Sequence, residues 1–76
     1  MQRTPEEKRA FIQTEIMSLA EATYNQQDID VVQRTVDTII GGARDGRIPD
    51  ADAERMLTEQ YVAVRGDYEA GKGEEQ

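Results

Sequence analysis

Residues 29–45 read Ile29-Asp30-Val31-Val32-Gln33-Arg34-Thr35-Val36-Asp37-Thr38-Ile39-Ile40-Gly41-Gly42-Ala43-Arg44-Asp45, and this stretch decides the fold class. Its β-branched residues favour strand by local preference, because a branched Cβ loses rotamer freedom against the preceding helical turn. The spacing points the other way. Ile29, Val32, Val36, Ile39, Ile40 and Ala43 recur three and four residues apart and line one side of an α-helix, whereas the Val31-Val32 and Ile39-Ile40 pairs break the strict alternation of a half-buried strand. The pattern therefore predicts a helix over 29–44. Gly41-Gly42 weakens its last turn, since a glycine in a helix interior costs up to about 1 kcal/mol relative to alanine. The helix ends either at Gly41 or near Asp45.

Working outward, Asn25-Gln26-Gln27-Asp28 is a polar break with cap-forming residues at both ends. Before it, Thr4-Pro5-Glu6-Glu7 is a helix start: Thr4 caps the free N–H groups of the first turn, Pro5 sits where its missing N–H costs nothing, and Glu7 can complete a capping box. Such a cap is typically worth about 1 kcal/mol. Phe11, Ile12, Ile16, Leu19, Ala20 and Thr23 form the apolar stripe of this first helix, expected over about residues 5–25, with Met17 and Tyr24 on a neighbouring side. After the second helix, Asp45-Gly46-Arg47-Ile48-Pro49-Asp50 reads as stop, turn and restart, with Gly46 left-handed and Ile48 folding back. Ala53, Met56, Leu57, Tyr61, Val64 and Tyr68 then mark a third helix over 50–69, whose first turns hold Asp50, Asp52 and Glu54 at the positive end of its dipole. Residues 71–76, Gly71-Lys72-Gly73-Glu74-Glu75-Gln76, carry nothing to bury and are expected as a flexible C-terminal tail. The expectation is an all-α chain, a small three-helix bundle or open three-helix arrangement forming one domain over 1–70.

Composition narrows the function. With 76 residues, a single Phe and no Trp, the core must be thin and built from medium-sized contacts. Absence of both Cys and His removes disulfides and the usual ligands of zinc, haem and iron–sulfur centres, so no cofactor and no metal is expected. It also removes the commonest general base and the thiol nucleophile. Ser18, the one serine, lies mid-helix with no base in view, so no catalytic residue is assigned and no enzyme activity is expected. The net charge of −7 repels phosphate backbones, which argues against nucleic acid and in favour of a protein partner with a basic surface. No run approaches the roughly 20 apolar residues of a membrane span. The start of the chain lacks the apolar region of a secretory signal, which places the expected location in the cytoplasm.

Four groups invite a binding role. Met17, Thr23, Tyr24, Gln26 and Gln27 put an aromatic ring beside a run of amides at a helix end, a composition suited to protein contacts; the competing reading is that Tyr24 covers the core edge. Arg44 and Arg47 flank the second turn, with Arg34 and Arg55 within reach, as an anchor for a carboxylate or phosphate or as partners of Asp37, Asp45 or Glu54. Asp45, Asp50, Asp52 and Glu54 supply oxygen ligands but lack the spacing of a calcium loop, and capping with dipole complementation accounts for them. Gly41-Gly42 and Gly71-Lys72-Gly73 lack the spacing of a phosphate cradle and read as hinge and tail.

The layout of helix, polar break and helix, followed by Gly46-Arg47-Ile48 and an Ala53…Leu57…Tyr61 helix, resembles the small antitoxins of the VbhA type that inhibit Fic adenylyltransferases. Their inhibitory helix carries Ser or Thr, three residues, an acid, then Gly or Asn. In Thr23-Tyr24-Asn25-Gln26-Gln27-Asp28 the position of the acid falls on Gln27 and that of the small residue on Asp28. A neutral amide does not pair an arginine as a carboxylate does. The functional expectation is thus a non-catalytic inhibitor, antitoxin or adaptor of the kind that phages and mobile elements encode. The alternatives are a self-associating assembly component, a homodimer through the first helix, and a nucleic-acid accessory protein using the Arg34, Arg44, Arg47, Arg55 group.

Overall fold

The structure is a computed structural model that describes residues 3–74, with side chains for residues 3–71. Three α-helices follow one another, α1 (Pro5–Thr23), α2 (Gln26–Arg44) and α3 (Asp50–Glu74). At the start of α1 the Thr4 hydroxyl accepts the Glu7 N–H at 3.2 Å and donates to the Glu7 carboxylate at 3.1 Å. The expected cap is thus present, with Glu7 turned to the threonine hydroxyl. The break between α1 and α2 is shorter than its polar sequence implies. Only Tyr24 and Asn25 leave the helical conformation, and the Asn25 side chain accepts the Asp28 N–H at 2.9 Å. One capping side chain lets α2 begin at Gln26 instead of Ile29.

The second connection settles where α2 ends. The helix runs through both glycines to Arg44, and Gly46 takes φ +81° just beyond it. The N–H of Arg47 reaches the carbonyl of Gly42 at 2.8 Å and that of Gly46 reaches Ala43 at 3.2 Å, the bond pair of a Schellman motif. Ile48 then folds over Gly42 so closely that a Cβ on this glycine would lie 2.5 Å from the Ile48 Cδ1. Gly42 is therefore no hinge: it is buried and is the floor on which Ile48 rests. Pro49 opens α3 by accepting the Ala53 N–H at 2.9 Å.

Contacts far apart in sequence define the topology. Arg9 meets Asp50 at one end of α1 and α3, and Tyr24 meets Asp67 at the other, so these two helices run parallel. Gln13 of α1 reaches Asp37 of α2 at 3.5 Å, as an antiparallel neighbour does. An up-down-up arrangement results, flattened to 43 × 30 × 15 Å, with α1 packed most extensively on α3. Its Cα radius of gyration is 13.2 Å, against about 11 Å for a rounded globule of this length. The core is thin for the same reason. Its three largest fully buried side chains are Ile16, Val36 and Leu57, one from each helix, and Ala20 and Ala53 allow the backbones to approach.

Phe11 in the α1 stripe and Arg9 outside it depart from expectation. Phe11 stays 48% exposed, and Arg9, absent from the expected core, is only 8% exposed. Arg9 buries its stem under the bundle and sends its guanidinium to Asp50 at 2.9 Å, joining α1 to the first residue of α3. At the far end α3 continues to Glu74, five residues beyond the expected boundary at Glu69. Decay of an apolar pattern reports the end of packing, whereas backbone hydrogen bonds carry on without it; Arg65 and Glu69 pair along this exposed stretch at 3.8 Å. Of the expected tail 71–76, the backbone to Glu74 is helical, and Glu75 and Gln76 lie outside the described residues.

Candidate functional site

The seven residues expected at a binding surface fall into two groups at opposite ends of α2. Arg44 closes this helix and Gln26 opens it, which separates them by about 27 Å at 1.5 Å per residue. They do not form one site. In the first group, Met17 and Tyr24 are half-buried against the core. The Tyr24 hydroxyl donates to the Asp67 carboxylate of α3. Burial first, then this hydrogen bond and the negative charges of Asp67 and Asp28, push the Tyr24 phenol up to about 12. The Thr23 hydroxyl donates to the Leu19 carbonyl at 2.7 Å, and the Gln26 amide donates to Asp30 at 3.0 Å. Gln27 is exposed. Thr23, Tyr24 and Gln26 thus each spend a polar atom on a partner within the chain.

Thr23 is the last residue of α1, and Gln27 lies in the first turn of α2. The stretch from Thr23 to Asp28 is consequently split by the two extended residues Tyr24 and Asn25, whereas the antitoxin pattern it resembles occupies a single helix.

In the second group, Arg44 is exposed, and Arg47 pairs with Asp45 at 3.1 Å. Arg55 lies between Asp52 at 3.6 Å and Glu59 at 3.7 Å. Three of the clustered acids, Asp45, Asp50 and Asp52, each face an arginine, Arg47, Arg9 and Arg55 respectively. Pairing in this way divides the acidic cluster among separate arginines. The exposed pairs of Arg47 and Arg55 are each worth about 0–1 kcal/mol, whereas the pair of Arg9 with Asp50 is half sheltered by the buried arginine.

A different surface is open. Phe11, Ile12 and Glu15 of α1 face Thr58 and Tyr61 of α3 across a hollow of about 330 Å³. Thr58 also lines a second, shallower hollow of about 610 Å³ that follows α3 from Ala51 to Ala63 and includes Val62. Phe11 and Val62 are 48% and 61% exposed. Carboxylates stand at the rims, Glu15 on the first hollow and Glu54 and Glu59 on the second. The guanidinium of Arg3 lies over the Phe11 ring, 4.4 Å from its centroid.

The sequence held a signal for this surface. Phe11 belongs to the row Phe11, Glu15, Leu19, in which a carboxylate occupies the middle position; Ile12, Ile16 and Ala20 form the adjacent apolar row. A charged residue one turn from Phe11 marks its row as the border of the packed face. Val62 lies outside the α3 stripe and nothing in its neighbourhood singles it out.

Comparison with models of protein families, with curated proteins and with solved structures finds no match. Among the described residues, no helix is long and apolar enough to cross a membrane.

Proposed function

We propose that this chain is a non-catalytic module that binds a larger protein and modulates it, as a small cytoplasmic inhibitor, antitoxin or adaptor of phage or mobile-element type. The observation that supports this most is Phe11. A thin core gains most from its largest apolar side chain, yet the single phenylalanine stands 48% exposed beside Tyr61, on a helix otherwise packed into the bundle. Aromatic side chains in such a setting are the usual anchors of protein interfaces. The rest of the reading comes from chemistry: without His or Cys, and with its one serine exposed on α1, the chain has little to act with as nucleophile or base.

Self-association through α1 would use the same face. Charge disfavours it, because two copies would oppose Glu15, Glu54 and Glu59 within a chain of net charge −7. The test is sedimentation of the purified chain over a wide concentration range, together with tagged recovery from its source cells. A monomer on its own and a stoichiometric complex with one other protein are expected. A tight closed oligomer that recovers no other protein contradicts the proposal.

A further inference from the structure

We infer that the outer face of α3 from Ala51 to Ala63, continued at Thr58 into the hollow between α3 and Phe11 of α1, receives one amphipathic helix of the partner protein, apolar where it meets Phe11, Tyr61 and Val62 and carrying lysine or arginine along its flanks. This occupant presupposes that the chain is a protein-binding module, and it gives that module a face and a partner chemistry. Charge selects the flanks. Glu15, Glu54 and Glu59 rim the two hollows, and the one cation among the lining residues, Arg55, already sits between Asp52 and Glu59. Arg3 over Phe11 and Arg65 at the Tyr61 hydroxyl add two cations, but Arg65 and Arg55 are themselves paired with Glu69 and Asp52. Acids still outnumber cations, so a basic segment gains where a second copy of this chain is repelled.

The ring of Phe11 carries a second indication. Its face already takes a guanidinium, that of Arg3, which precedes the Thr4 cap and belongs to no helix. The ring thus tolerates a cation beside it, and a flanking arginine of the partner can take the place of Arg3 over its face while the partner's apolar stripe packs against the ring edge. Length fits as well. From Ala51 to Ala63 the surface of α3 extends about 18 Å, matching roughly three turns of an apposed helix. Apolar anchors three and four residues apart on such a helix would meet Val62, Tyr61 and Phe11 side by side.

The experiment titrates the full ¹⁵N-labelled chain with a leucine–lysine amphipathic peptide of about four helical turns and, separately, with the same peptide bearing Glu in place of Lys. Saturable shifts are expected at Phe11, Thr58, Tyr61 and Val62 with the basic peptide only. Phe11→Ala should abolish them, the Glu54→Gln, Glu59→Gln pair should weaken binding about tenfold, and Gln27→Ala should leave it unchanged. Equal binding of the acidic peptide, or shifts spread evenly to Gln27 and Val31, overturns the inference. So does a dimer of the free chain that Phe11→Ala dissociates, which gives the face to a second copy. A source-cell complex that is indifferent to Phe11→Ala, with no saturable peptide binding, removes the inference and leaves the binding-module reading standing. Failure to recover any partner removes that reading too.

Discussion

Ile48 and Phe11 are both apolar side chains at the border of the bundle, and the chain treats them in opposite ways. Ile48 lies in a connection, where exposure is the ordinary fate, yet it is partly buried against the core because Gly42 leaves a space that fits it and the Schellman bonds hold the backbone in place. Phe11 lies in a helix whose inner face is packed, yet it stays half out because its side of α1 faces Glu15, Thr58 and an open hollow. Hydrophobicity alone does not decide burial. A side chain is buried where the chain supplies a complementary space, and one left without such a space is free to find it on another molecule.

The sharpest way to break this comparison is to fill the Gly42 space. Gly42→Val places atoms where Ile48 rests and should lower the unfolding free energy by about 2 kcal/mol in urea titration. Combining it with Ile48→Ala should cost less than the sum of the single changes, because the two residues compete for one space. Gly46→Ala forces a Cβ onto a backbone at φ +81° and should cost about 1–2 kcal/mol. Phe11→Ala should cost less than about 1 kcal/mol, in contrast to the roughly 3–5 kcal/mol of a buried phenylalanine. Gly41→Ala should raise stability by about 0.5–1 kcal/mol, since this helical position has nothing within 4 Å of an added Cβ. Opposite signs at adjacent glycines would separate the covered site from the open one.

The smallest effect concerns the aromatic that follows α1, Tyr24. Folding raises the Tyr24 pKa from 10.0 to about 12, so the neutral phenol favours the folded chain. That contribution is complete below pH 10, declines above it and is lost as the pH passes about 12. Tyr24→Phe should therefore be slightly less stable than the parent chain at neutral pH, with the margin closing in alkali. Tyrosine absorbance titration should lose its step near 12 in this variant.

Much of the fold is legible in the sequence. Spacing of Ile29, Val32, Val36 and Ile39 outweighed their β-branched chemistry, and Gly46 with Ile48 announced the second turn correctly because both signals are local. Gly42 was not legible as a packing residue, since a glycine shows a missing side chain without showing what approaches it. The candidate site was harder to read for the same reason. Tyr24 looked available until Asp67, distant in sequence, closed on its hydroxyl. Arg47 looked like an anchor for an outside carboxylate or for Asp45, and only the fold shows that it pairs with Asp45.

The most direct test places a photo-cross-linking phenylalanine analogue at Phe11 in one variant and at Gln27 in another, and expresses each in the source cells. A single heavier adduct with another protein from position 11, and none from position 27, is the predicted result. An adduct from position 27 alone, or from position 11 only with a second copy of the chain, would contradict the assignment of the α1–α3 surface to a partner.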